Sequence, residues 1–402
     1  MKPFTSTISF AEARRLVLDA ATPLARTETV ALTDADHRVA AIDVIVSDDI
    51  PPFDRAAMDG YAVRSRDTTG AGPDDPVTLQ CIEYVYTGAT SSMAVGRGQC
   101  IEIATGAPLP EGADAVVMVE ETTRDAAHVL IRKPASPGQH IGRRGGDLPR
   151  GQVAVRAGQT LGPGQIGALA ACGVTRLDVY ARPSVALFST GNEIVEPGRP
   201  LDRGQIYDIN RFTLASLVHR HGGVATAMPV TADTIDHVTA ALESARSHDV
   251  IVCSGGSSVG DRDLVVEALR ERGEIVFHGV SVKPGKPTAL GRIGGTPVLA
   301  MPGNPTSCLS NGYLLLVPFL RRLARLPPWE PRAIDLPLAR RIASAADRHQ
   351  FFTVRVADGR VEPAFTGSSH ITSMADADGF IEIPAGTPSI DAGSIVRVTL
   401  FA

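Results

Sequence analysis

Residues 250–263, Val-Ile-Val-Cys-Ser-Gly-Gly-Ser-Ser-Val-Gly-Asp-Arg-Asp, constrain this chain more than any other stretch. The four leading apolar residues are short enough for one buried strand, and the glycine and serine run after them breaks the pattern. Leu264, Val265, Ala268 and Leu269 then recur at helical spacing up to Gly273, with aspartates just before or in the first turn. The order is strand, flexible loop, helix. In a parallel α/β sheet that loop lies at the carboxyl edge of its strand, where backbone N–H groups and a helix N-terminus face a crevice suited to anions.

The same rhythm surrounds it. Residues 185–188 read as a buried strand followed by Ser189-Thr-Gly-Asn-Glu193, and Asn210 opens a helix that runs to Gly222. Residues 224–230 give a second strand that ends in Thr231-Ala-Asp233, and a helix continues to about Ser247. Residues 274–277 give a fourth strand, reaching Lys283-Pro-Gly-Lys-Pro287. Residues 288–291 and 297–300 read as a final strand pair, leading to Met301-Pro-Gly-Asn-Pro-Thr-Ser307 and a long helix. The expected fold of this region is a doubly wound α/β domain.

Elsewhere the text is mostly β-like. Ser9, with Glu12 three residues later, reads as the cap of an amphipathic helix that ends near Pro23, and short strands are expected at 29–32 and 42–46. Asp59-Gly60 reads as a turn holding a carboxylate at the surface. Strands are expected at 77–86, 100–104, 115–119 and 129–131, and Gly142-Arg-Arg-Gly-Gly-Asp147 sets two guanidiniums beside an acid. Residues 161–167 fit G-x-G-x-x-G, but no ribose-binding acid follows at the right spacing and Pro163 suits a helix start. After a linker at Pro327-Pro-Trp329, strands at 351–356, 361–365, 380–384 and 394–401 suggest a small β-barrel or sandwich.

At 402 residues the chain is long enough for two to four domains. A net charge of −5 gives no general drive toward nucleic acid or acidic membrane. Five scattered cysteines without a Cys-x-x-Cys pair suit a reducing compartment, with neither a disulfide framework nor a zinc site. Residues 1–31 lack an apolar signal core and no uncharged apolar run approaches the ~20 residues a bilayer requires. A soluble cytoplasmic protein is expected.

Charges fall in phase with the strands of the α/β region. Glu193, Asp233, Asp261 with Asp263, and then Lys283 with Lys286 each follow a strand end, so the sheet topology brings them to one edge. The two lysines, held by Pro-Gly turns, read as point charges aimed at an oxyanion. Carboxylates facing a phosphate at ~4 Å would be repelled by about 4 kcal/mol at an effective dielectric of 20, so a cation must intervene. Mg²⁺ suits one or two carboxylates shared with phosphates. No Walker loop or zinc-ligand spacing is present in the sequence. The residues by themselves lead to Mg²⁺-assisted chemistry on a phosphorylated or oxyanionic small molecule.

Taken together, Pro52-Phe-Asp54 with Met58-Asp-Gly-Tyr-Ala62, Thr105-Gly-Ala-Pro108, Gly145-Gly-Asp147, Phe188-Ser-Thr-Gly-Asn-Glu193, Ser254-Gly-Gly-Ser-Ser-Val-Gly260, Lys283-Pro-Gly-Lys-Pro287 and Pro302-Gly-Asn-Pro305 resemble molybdopterin molybdenumtransferase, the family that includes the gephyrin E domain. The resemblance covers nearly the whole chain in order. It implies an N-terminal joint and dimerisation domain from 1–47 and 148–181, an inserted β domain at 48–147, a molybdopterin-binding α/β domain at 182–328 and a C-terminal β-barrel at 329–402. The implied reaction is Mg²⁺-dependent insertion of molybdate into adenylylated molybdopterin, with release of AMP.

By motif match Glu193, Asp233 and Asp263 would position pterin phosphate, AMP or Mg²⁺, with Glu193 and Asp263 as metal ligands. Lys283 and Lys286, with Ser307, would hold molybdate, joined by Arg348 and Ser369. Ser254, Gly255, Gly256, Ser258, Gly260, Pro302 and Asn304 would line the cofactor site. Asp59, Thr105 and Asp147 would reach the crevice across the interface of a homodimer. A pterin adenylyltransferase and acceptor molybdoenzymes are the implied partners, without nucleic acid or membrane. Pterin adenylylation, marked by ATP consumption and pyrophosphate release, and a non-catalytic binding scaffold are the alternative readings. Ala56 stands where the family often has Ser, and Ser257 and Thr306 where Val is frequent.

Overall fold

The computed structural model describes residues 7–255 and 263–401. Gly256, Ser258, Gly260 and Asp261 lie outside the described residues. The chain divides into two compact units, one gathering the described parts of 1–28, 37–39 and 178–402, the other 29–36 and 40–177.

At the centre of the first unit is a six-stranded sheet in the order Val224–Ala227, Ser184–Ser189, Val250–Ser254, Thr296–Met301, Ala289–Ile293, Gly273–His278. The first four strands are parallel. Ala289–Ile293 is antiparallel to both its neighbours, so Gly273–His278 again runs with the first four. Residues 288–291 and 297–300 do form the expected hairpin.

Val250–Ser254 is buried at every position because both faces are covered. Val250 and Val252 join Val185, Leu187, Leu299 and Met301 on one face, packed against Leu214 and Val218 of the helix Asn210–Arg220 and Phe319 of Val317–Leu323. Ile251 and Cys253 join Ala186, Phe188, Val298 and Ala300 on the other, against Val238 and Leu242 of Ile235–Ser244 and Val265 and Leu269 of Leu264–Arg272. The period of two in the strand separates the layers.

The helix Phe10–Ala20, its Ser9 cap accepting from the Glu12 N–H at 3.2 Å, packs into the first layer through Ala13 and Val17.

The C-terminal strands form the second sheet of this unit. The strands His349–Ala357, Gly379–Ile383, Ile395–Leu400 and Ala333–Pro337 are antiparallel in that order, and Arg360–Pro363 flanks the first. A bridge from Leu338 to Val361 returns the last strand to the flank and closes a small barrel. Phe352, Val354, Ile381, Ile383, Val396 and Val398 alternate into its interior. Phe351 and Phe380 point the other way and stack at 4.1 Å inside the α/β layer. Burying each is worth about 1.5–3 kcal/mol.

One pairing has no counterpart in the periodicity of the sequence. Val282–Lys283, just past the α/β strand, adds to the barrel sheet in parallel, Val282 opposite His349 and Lys283 opposite Gln350.

The second unit holds a six-stranded sheet in the order Ala115–Met118, Gly60–Val63, Gln99–Ile103, Val77–Val85, His128–Ile131, Thr122–Asp125. Gly60, expected as part of a turn, instead begins a strand buried at all four positions. A Cβ there would lie 1.9 Å from the Val117 carbonyl oxygen, so the sheet closes only over glycine. The helix Pro163–Ala171 confirms the reading of residues 161–167: Pro163 occupies its first turn, and the Gln165 side chain accepts from the Gly162 N–H at 3.1 Å.

Candidate active site

The five co-directional strands of the α/β sheet end at one edge, and backbone bonds tie the loops there together. Thr190 N–H donates to the Ser254 carbonyl at 2.8 Å, Gly191 N–H to Thr231 at 3.2 Å and Gly255 N–H to Met301 at 3.3 Å. A Cβ on Gly255, whose φ is +97°, would fall 2.2 Å from the Thr190 carbonyl oxygen, so the approach of the two loops depends on glycine.

Beneath them the Ser189 hydroxyl bonds Asp208 at 2.9 Å and lies 3.0 Å from the Ser254 hydroxyl. Asp208 also lies 3.3 Å from Arg211, which donates to Glu196 at 2.8 Å. The long loop that carries Glu193 is thereby pinned at a buried ion pair. Asp208 and Arg211 escaped the sequence reading because nothing in their spacing distinguishes them from a helix start.

Glu193 and Asp233 come together at this edge. Burial first, and then the charge of Glu193, push the Asp233 carboxyl above its ordinary range, against smaller opposing hydrogen bonds from the Thr190 side chain and the Asn192 backbone. An acid raised in this way favours the folded state only while protonated. That contribution is complete below the ordinary carboxylate range and fades as pH rises through the raised value. Asp233→Asn is therefore expected to raise the Tm of cation-free protein at neutral pH and to leave it unchanged in acid. Scanning calorimetry in chelator across that range checks this, and a difference independent of pH would refute it.

Asp263 precedes the helix that follows Val250–Ser254. Its Oδ1 caps Leu264–Arg272 by accepting from Val266 N–H at 3.1 Å, and its Oδ2 lies 3.4 Å from His278 Nε2. Among the described residues no group of three or more His, Cys, Asp or Glu side chains is arranged to hold a metal ion. The hard oxygen pair of Glu193 and Asp233, one of them penalised for its charge, suits Mg²⁺ in donor type.

The lysines frame a cleft of about 300 Å³. Lys283, Lys286 and Arg348 supply its positive charge, and Asn304, Ser307 and Ser368 its polar contacts. Arg348 is there because Val282–Lys283 pairs beside its strand. Asn304 Nδ2 donates to Ser368 Oγ at 3.2 Å, and the Thr306 N–H bonds the Ser368 carbonyl at 3.0 Å. The hydroxyl-rich loop is thus fastened to the segment after Met301. Ser369 is exposed and is not among the lining residues, whereas its neighbour Ser368 is. Phe365 forms an apolar part of the wall that the sequence reading did not assign. Pro302 is buried.

In the second unit Asp59 and Thr105 meet: Asp59 Oδ1 accepts from the Thr105 N–H at 2.7 Å, which holds the Asp59 carboxyl below its ordinary range. The guanidiniums of 142–147 do not pair with Asp147. Arg143 bonds Asp54 at 2.8 Å and Arg144 bonds Asp49 at 2.7 Å. Asp147 is exposed, and its N–H donates to the Ile50 carbonyl at 3.0 Å.

Three family models match the chain: MoeA N-terminal region (domain I and II) over residues 8–173, probable molybdopterin binding domain over 186–322, and MoeA C-terminal region (domain IV) over 335–401. Molybdopterin molybdenumtransferase 2 of Mycobacterium tuberculosis is 36% identical over 92% of this chain and 94% of its own length. The chain belongs to the molybdopterin molybdenumtransferase family. The Staphylococcus aureus member of the family is 30% identical over 92% of this chain and 90% of its own. The crystal structure of a molybdopterin biosynthesis protein from Pyrococcus horikoshii superposes with a TM-score of 0.84 at 40% identity, covering 99% of this chain and all of that one.

Proposed function

We propose that this chain is a transferase of molybdenum cofactor biosynthesis that inserts molybdate into adenylylated molybdopterin and releases AMP, with Mg²⁺ as the required cation. The observation that carries the reading is the cleft in which Lys283, Lys286 and Arg348, gathered by the ladder between Val282–Lys283 and the strand that begins at His349, converge beside Ser307 and Asn304. A tetraoxo dianion fits such a set, since fixed ammonium and guanidinium groups with hydroxyl and amide donors replace its water shell without reorganising.

The lysines lower the repulsion between molybdate and an anionic pterin, the chief obstacle to bringing the two together. Ser307 and Asn304 orient the oxyanion through neutral donors. Glu193 and Asp233 are carboxylates that would hold Mg²⁺, together with Asp263, which also caps the helix Leu264–Arg272. When bound, the cation spreads the negative charge of the phosphoanhydride that is hydrolysed. Asp59, Thr105 and Asp147 would complete the site from the partner protomer of a homodimer. A pterin adenylyltransferase would supply the substrate and molybdoenzymes would take the product. Among the described residues no helix is long and apolar enough to cross a membrane.

Incubating the protein with adenylylated molybdopterin, molybdate and Mg²⁺ tests the reading by chromatography. AMP release that depends on both molybdate and Mg²⁺ is the expected result. Consumption of ATP with pyrophosphate release, or no AMP at all, would overturn it.

A further inference from the structure

The charge of the cleft depends on a residue that does not line it. Asp347 precedes Arg348 and embraces its guanidinium: Arg348 Nε donates to Oδ1 at 2.9 Å and Nη2 donates to Oδ2. The Asp347 side chain is 65% exposed, so burial does not hold it there. Its backbone is fixed instead. The Ser281 hydroxyl donates to the Asp347 carbonyl at 3.4 Å, and the His349 N–H to the Ser281 carbonyl at 3.1 Å. These bonds continue the ladder that sets Lys283 beside Gln350, so residues 347 and 348, just ahead of the strand His349–Ala357, lie next to the lysine turn. The Arg348 fork, and more weakly the Lys283 charge, keep the Asp347 carboxyl below its ordinary range and hence ionised at neutral pH.

Two consequences follow for an anion in the cleft. The Nε and Nη2 edge of Arg348, the edge that grips an oxyanion through two parallel bonds, is already occupied by a carboxylate. The Asp347 carboxylate also sets one negative charge beside the cations of the lining, and it repels a dianion more strongly than a monoanion.

Resting on the reading of this cleft as an oxyanion site, we propose that Asp347 is a built-in competitor for Arg348 that limits how tightly the cleft holds a tetrahedral dianion. It is a positioning and selectivity residue and touches no reacting atom. A site that must pass its oxyanion on gains from a ceiling on ground-state affinity, because tighter binding before the transfer does not speed the transfer itself.

Titration calorimetry on the full chain tests this with two tetraoxo anions, molybdate as the dianion and perrhenate as the monoanion. Asp347→Asn is expected to bind molybdate about 5-fold tighter at low ionic strength and perrhenate about 2-fold tighter, and the gain should shrink as salt approaches the regime of a ~3 Å screening length. Asp347→Glu, which restores the carboxylate, should return both constants toward wild type. In turnover the Asn variant should lower the KM for molybdate and leave kcat no higher. Unchanged or weaker molybdate binding by Asp347→Asn, in a protein whose binding is lost in Lys286→Ala, would overturn the competitor and leave the oxyanion site standing. A wild-type chain that binds neither anion would overturn both.

Discussion

Lys286→Ala is expected to lower molybdate-dependent AMP release by roughly 10²- to 10³-fold, the usual cost of removing one preorganised charge-stabilising donor. Lys286 is half-buried in the cleft wall, so its charge acts through less water than that of the exposed Lys283. A unit pair at ~4 Å is worth about 4 kcal/mol at an effective dielectric of 20, enough to account for the whole loss. The fold should not suffer. What the surrounding backbone takes from residue 286 is its carbonyl, which accepts from Val280 N–H at 2.9 Å and survives truncation of the side chain. Lys283→Ala should cost less, because solvent already screens it. Thermal melts and AMP assays on both variants decide the matter. Turnover near wild type in Lys286→Ala would remove the cleft from the mechanism, and a collapsed melt would show that the lysine is structural.

The α/β region was legible because its signals are local. Val250-Ile-Val-Cys253 announces a strand covered on both faces, and the layer assignment of alternate residues follows from the pleat. Ser9 with Glu12 and Pro163 with Gln165 mark helix starts through contacts three residues apart, within reach of a sequence window. The edge-on meeting of Glu193 and Asp233 was legible for a different reason, since co-directional strands oblige their following loops to share an edge.

What stayed hidden lies beyond any local window. The ladder between Val282–Lys283 and His349–Gln350 joins segments 67 positions apart through only two residue pairs, too few for a period to register. Without it, Arg348 has no geometric reason to be near a lysine. Gly60 was read as a turn because Asp-Gly is a turn pair, but the four residues from Gly60 are buried in a central strand, and tertiary packing overrode the local preference. Thr122–Asp125 is a polar edge strand with no apolar alternation to betray it. Ser368 and Ser369 are chemically identical neighbours, and the bonds from Asn304 and Thr306 distinguish the one in the cleft from the one in solvent.

Gly285→Ala should abolish molybdate binding and cost roughly 3 kcal/mol of stability or more. Gly285 has φ of +111°, and a Cβ there would lie 2.3 Å from Nδ2 of Asn311. Asn311 cannot withdraw. It is fully buried, it donates to the Gly285 carbonyl at 3.0 Å, and Thr288 Oγ1 donates to the same carbonyl at 2.8 Å. Displacing it would leave buried polar groups unpaired at about 1–3 kcal/mol each. The turn between Lys283 and Lys286 would have to move instead, and with it the spacing of the two charges. Gly359→Ala isolates the backbone contribution, because Gly359 also has positive φ, +69°, but open space where its Cβ would go. That variant should lose only about 1 kcal/mol and keep molybdate binding. If the two variants melt alike and both bind molybdate, the buried amide is not what shapes the lysine turn. If Gly285→Ala alone loses the anion, one hydrogen-bonded asparagine behind the cleft sets the distance between the charges in front of it.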